Sequence, residues 1–139
     1  MARIPQSLYL IHFMLMLSPA LFAAVIYFGA LPGETNPGTS NDEIRILQTV
    51  AAVLAVIAVG LSQLVPRFLT RDEKSLPLRR FASMKIVQWA LLEGAAVFIG
   101  VVFFLTHQKS MLIPLAVLIA LIAFMRPTTE EIVRFNVKE

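Results

Sequence analysis

The sequence predicts an all-α fold: an integral membrane bundle of four transmembrane helices, followed by a short surface helix. Three observations carry this. Four apolar runs, residues 8–31, 46–65, 86–106 and 111–125, contain a single Asp, Glu, Lys or Arg between them, Glu93. The chain is 58% hydrophobic and 15% charged, with a mean hydropathy of +0.76, whereas soluble domains carry about 25% charged residues. The positive charges are also uneven. Arg3, Arg67, Arg71, Lys74, Arg79, Arg80, Lys85, Arg126, Arg134 and Lys138 fall on one side of the four runs, and only Arg45 and Lys109 on the other. The positive-inside rule then places both termini and the 67–85 loop in the cytoplasm. A bacterial inner (cytoplasmic) membrane is the expected location. One four-helix domain is expected over 1–139, with 126–139 as a cytoplasmic tail.

The first run follows Arg3 and Pro5 and continues well past the roughly 7–15 apolar residues of a secretory signal, so it reads as a spanning helix. Pro19 near its centre removes a backbone donor and predicts a kink. Residues 32–42 hold Pro-Gly and Asn-Pro-Gly steps, a loop by turn chemistry.

In the second run, Ala51, Ala55, Ala58 and Ser62 recur on one helical face. In lipid, small side chains let two backbones approach closely, so this stripe is a helix-packing surface. Gly60, Ser62 and Gln63 gather at its far end, just before Pro66. The basic loop, residues 67–85, is a topology signal before it is an anionic-lipid or nucleic-acid patch, and no nucleic-acid partner is expected.

The third run carries Glu93. A carboxylate at bilayer depth costs a few kcal/mol or more, so such residues usually face protein or a water-filled cavity and mark a functional path. Ala96 and Gly100 lie three and seven residues on, which puts all three on one face suited to close helix contact. Gln63 on the preceding helix falls about one turn shallower than Glu93, so Gln63 and Ser62 are the candidate partners of Glu93 in holding a proton or small cation. The fourth run is short for a span, which needs roughly 17–25 residues. It crosses if Lys109 and Arg126 snorkel; a re-entrant helix is the alternative. Thr128 to Glu131 has capping-box spacing, predicting a short helix to about Phe135, in a polar tail lying at the surface.

The chemistry excluded is broad. With no cysteine, disulfides, thiolate metal sites and cysteine nucleophiles are absent. No hydrolase, phosphate-loop or dinucleotide motif occurs, so no enzyme activity is expected. His12 and His107 fall at opposite ends of the bundle, so neither a metal nor a haem is expected, and no other cofactor. No internal repeat marks a transporter acting alone.

Residues 90–100, Ala-Leu-Leu-Glu-Gly-Ala-Ala-Val-Phe-Ile-Gly, resemble the second helix of the rotor-ring c subunit (proteolipid) of rotary ATP synthases, where a membrane-embedded carboxylate precedes small residues. Residues 60–63, Gly-Leu-Ser-Gln, are similar to the end of that family's first helix, and the basic loop matches in position. The resemblance covers about residues 50–106. It implies Glu93 as proton carrier with Gln63 as helper, and Gly94 in place of a hydroxyl residue favours a proton over sodium. It departs in its Gly-poor first helix, its longer loop and the placing of the carboxylate in the third of four helices. The tail, Arg126 to Glu131, is similar to that of small four-helix membrane proteins of Bacteroidota, a likeness that implies no activity. Two functions stay open: an accessory subunit of a larger membrane complex in which Glu93 packs against a neighbour, and a c-subunit-like proton-binding subunit. The partners expected are the lipid bilayer and either other membrane subunits or further copies of this chain.

Overall fold

The computed structural model describes residues 4–29, 40–70 and 75–138. It is all-helical but for one two-residue strand pair: α1 (Gln6–Gly29), α2 (Asn41–Leu69), β1 (Leu76–Pro77), α3 (Leu78–Thr106), a 3-10 turn (Lys109–Met111), α4 (Leu112–Phe124), α5 (Thr129–Arg134) and β2 (Val137–Lys138). Three of these helices, α1, α2 and α3, are long and apolar enough to cross a membrane. At 13 residues, α4 is about 20 Å long against a hydrocarbon core of about 30 Å. Most of the loop expected over 32–42, and part of the basic loop, lie outside the described residues.

Three boundaries differ from expectation by four residues or more. Helix α2 continues through Pro66 to Leu69, so Arg67 belongs to its last turn and not to the basic loop. Helix α2 begins at Asn41, five residues before the apolar run, because Ser40 and Glu43 form a capping box: the Ser40 hydroxyl accepts from the Glu43 amide, and the Glu43 carboxylate accepts from the Ser40 amide. This satisfies orphan donors of the first turn and sets two acidic residues at the positive end of the helix. Helix α3 begins at Leu78 rather than at 86, directly after Pro77. Its first two turns are made of residues expected in the basic loop, and one face of them is buried: Phe81, Met84 and Lys85 continue the stripe formed by Gln88, Trp89 and Leu92, while Arg79, Arg80 and Ser83 are exposed. Helix α3 ends at His107, whose left-handed backbone (φ 52°) lets its amide bond the Phe103 carbonyl.

Helix α3 is the axis of the bundle. Helices α1, α2 and α4 all pack on it, while α1 and α2 have little or no contact with each other. The α2 seam is built from Ala51 and Ala58 against Leu92, Ala95, Ala96 and Ile99, with Leu115, Leu118 and Ile122 of α4 completing the cluster. Gly60 lies off this seam. It is exposed, and among the described residues nothing lies within 4 Å of where a Cβ would stand. On the α1 side, Gly100 is where close approach matters: a Cβ there would stand 2.8 Å from a ring carbon of Phe22.

A second cluster closes one end: Leu8, Leu76, Phe81, Met84, Trp89, Ile132 and Val137. The tail is therefore not a polar appendage. Helix α5 starts from the Thr128–Glu131 capping box, Asn136 turns the chain with φ 46°, and β2 pairs parallel with β1, Leu76 opposite Val137. Ile132 and Val137 are buried as a result. Carbonyls at the C-terminal end of α4 find side-chain donors here. His12 Nε2 donates to Ile122 O at 2.7 Å, and Trp89 Nε1 donates to Met125 O at 2.9 Å. The two rings pack at 4.7 Å between centroids, so α1 and α3 jointly hold the end of α4.

Candidate functional site

The described residues carry two unusual polar features, and both are on α3. The first is Glu93. Trp89 contacts His12 of α1, and Gly100 approaches Phe22 of α1. By helical periodicity Glu93 shares that side of α3 with both, so it lies along the α1–α3 seam. It sits at the seam's rim, half-buried, and makes no hydrogen bond or ion pair among the described residues. Next to it, Ala90, Gly94 and Val101 are exposed, and Gly94 has open space at its Cβ position. The face of α3 turned away from α4 is thus open, with α1 on one flank and α2 on the other. On the α2 flank it runs into an apolar groove of about 370 Å³ lined by Leu54, Ile57, Leu61, Ala90, Gly94 and Phe98, among others.

The second feature is a polar cleft of about 350 Å³ at the end of the bundle closed by the tail. It lies between the last turns of α2, the first turns of α3, and α5. Lys85 and Glu131 form an ion pair on its wall, with side chains 3% and 28% exposed. Arg67 and Arg134 also line it, and among the described residues neither has an acidic partner. Gln88, only 3% exposed, donates from Nε2 to the backbone carbonyl of Ser62 at 2.7 Å. That bond fixes the amide orientation, since a carbonyl can only accept. Gln88 Oε1 is then buried with no partner.

The expected trio of Glu93, Gln63 and Ser62 does not converge. Gln63 is exposed and lines the polar cleft. The Ser62 hydroxyl is spent within its own helix, donating to Val59 O at 2.8 Å. Gln88 marks the α2 side of α3, and Glu93, five residues on, is rotated from it by about 140°. The residue that does meet α2 at this level is Gln88, which sequence reasoning passed over. Lys85 was assigned to topology; its i−4, i+3 and i+7 neighbours, Phe81, Gln88 and Leu92, are the signal that it sits on a buried stripe. Comparison with protein-family models, curated proteins and solved structures finds no match to this chain.

Proposed function

We propose that this chain is a multi-pass accessory subunit of a larger membrane complex, seated in a bacterial inner membrane with both termini in the cytoplasm. One observation carries the reading: α3 is covered on three sides by α1, α4 and α2, while its fourth side is open and carries Glu93 beside Ala90, Gly94 and Val101. Small residues there let a helix approach closely. An unpartnered carboxyl at that depth costs several kcal/mol unless a donor reaches it. A helix of another subunit that supplies a donor to Glu93 satisfies both. The ten-to-two split of Lys and Arg supports the orientation.

Because the chain has no cysteine, single cysteines at Gly94 and Val101 test this in native membranes, with Val56 on the outer face of α2 as control. Cross-linking from the first two to a different polypeptide is expected. No cross-link from either refutes the reading.

The second reading, a proton-binding subunit like the rotor-ring c subunit, is favoured by one detail: Glu93 is at a rim, reachable from outside the chain. It requires cross-links between identical chains only. It also requires hydrophobic carbodiimide labelling confined to Glu93 that fades as pH rises. Glu93→Gln abolishes proton coupling on this reading. On the accessory reading it leaves assembly intact, because Gln keeps a hydrogen-bonding group.

A further inference from the structure

The polar cleft is independent of whatever covers the open face of α3. It has three properties that together describe a ligand. Its charge is unbalanced: Arg67, Lys85 and Arg134 face one carboxylate, Glu131, which Lys85 already engages. Two guanidiniums from different helices, with no acidic partner among the described residues, suit a phosphate group, since each offers a planar fork of donors. Gln88 lines the cleft, and the Oε1 of that residue is buried and lacks a donor, an acceptor that a hydroxyl or ammonium group of a ligand would satisfy. Part of the cleft's lining is apolar: the half-buried Pro66 and Phe135, and the buried Met84. The volume of about 350 Å³ falls within the roughly 300–1,000 Å³ of small-molecule sites.

Position decides the source of the phosphate. The cleft is at the end of α2 and the start of α3, where two helices long and apolar enough to span a bilayer leave it. A headgroup at the membrane surface is held there by its own acyl chains, whereas a soluble phosphate must be captured from dilute solution. We propose that the cleft binds the headgroup of an anionic glycerophospholipid of the phosphatidylglycerol type. Its phosphodiester lies between Arg67 and Arg134, and a glycerol hydroxyl donates to Gln88 Oε1. The net excess of positive charge favours this anionic group over a zwitterionic one.

The test uses the full chain reconstituted with phosphatidylcholine and small fractions of phosphatidylglycerol or phosphatidylmethanol. The last has the same phosphodiester charge and no headgroup hydroxyl. Lipid retained per chain after detergent extraction is read by native mass spectrometry. The wild type is expected to keep phosphatidylglycerol over both others. The double variant Arg67→Gln/Arg134→Gln should retain at least about tenfold less, and Gln88→Met should lose the preference over phosphatidylmethanol. Millimolar glycerol phosphate should leave the lipid in place. Equal retention of all three lipids, or unchanged retention in the double variant, overturns the proposal: the arginines are then a solvated surface and Gln88 holds water. Displacement by glycerol phosphate also overturns it, in favour of a soluble ligand. Should the double variant fail to fold, phosphatidylglycerol with a photoreactive headgroup is applied to the wild type. Labelling within residues 63–70, 84–88 or 131–135 supports the site, and labelling confined to other residues overturns it.

Discussion

Removing the carboxylate of Glu131 is the sharpest test of how the tail is fastened. Lys85 is buried to 3% exposure and Glu131 to 28%, so the two members of the pair are not equivalent. Glu131→Ala strands the Lys85 ammonium where it cannot be rehydrated without opening the α3–α5 contact. Breaking a buried pair in this way costs about 3–5 kcal/mol. The substitution also removes the capping-box acceptor for the Thr128 amide. Lys85 uses Oε1 of Glu131 and the Thr128 amide uses Oε2, so Glu131→Gln keeps a neutral acceptor for one of the two donors and should cost about 2 kcal/mol, or roughly a thirtyfold loss in the folded-to-unfolded ratio. Lys85→Met is the reverse case. It removes the buried charge and leaves Glu131 partly hydrated at the positive end of α5, so the loss should stay near 1 kcal/mol. The double variant Lys85→Met/Glu131→Gln should be close to wild type.

The assay reads two places in the detergent-solubilised chain. Trp89, the single tryptophan, reports the bundle by its emission, because its ring packs on His12 and bonds the end of α4. Hydrogen exchange over residues 129–138 reports docking of the tail. The order Glu131→Ala, then Glu131→Gln, then Lys85→Met, from most to least damaging, is the expected result. If Lys85→Met destabilises as much as Glu131→Ala, the asymmetry argument fails. If Glu131→Ala costs under about 0.5 kcal/mol, the pair behaves as an exposed one.

Other substitutions probe the seams. Gly100→Ala drives a methyl group into the Phe22 ring, where only 2.8 Å is free; it should cost about 1–3 kcal/mol in thermal unfolding, and Phe22→Leu in the same chain should recover part of it. Trp89→Phe keeps the aromatic packing but orphans the Met125 carbonyl, for a loss of about 1 kcal/mol and faster exchange at the end of α4. Ser62→Ala should stay within about 0.5 kcal/mol, because that hydroxyl bonds only its own helix and Gln88 uses the Ser62 backbone carbonyl instead. Equal damage from Ser62→Ala and Gln88→Leu would contradict this assignment.

The helices were legible in the sequence wherever hydropathy alone decides. The start of α2 was not, although Ser40 and Glu43 have capping-box spacing, because the apolar run begins later and drew the boundary with it. The start of α3 was hidden by its charges: Arg79, Arg80 and Lys85 look like a loop until Phe81, Met84 and Gln88 are read as one stripe. The tail was misread because Ile132 and Val137 are isolated among polar residues, and their burial depends on β1 more than fifty positions earlier. The partner of Glu93 failed for a different reason. Helix α3 is apolar nearly all round, and such a helix has no polar face to tell which neighbour lies on which side. Depth along the helix could be counted from the sequence; rotation about it could not.

That rotation separates two polar features that the sequence suggested merging. Gln88 and Glu93 are five residues apart and about 140° apart around α3, so no single ligand of headgroup size reaches both. Gln88 looks into a cleft at the end of the bundle with guanidiniums around it. Glu93 stands half-buried at the rim of the open face of the same helix, beside alanine and glycine. The first environment suits a charged group that arrives from the membrane surface; the second suits a helix that arrives from the side and shields a carboxyl. A partner at one place cannot relieve the other, so each feature must be satisfied separately. On the two proposals made above, the central helix presents its two unfilled polar positions to two different neighbours, lipid at one end and protein along one face.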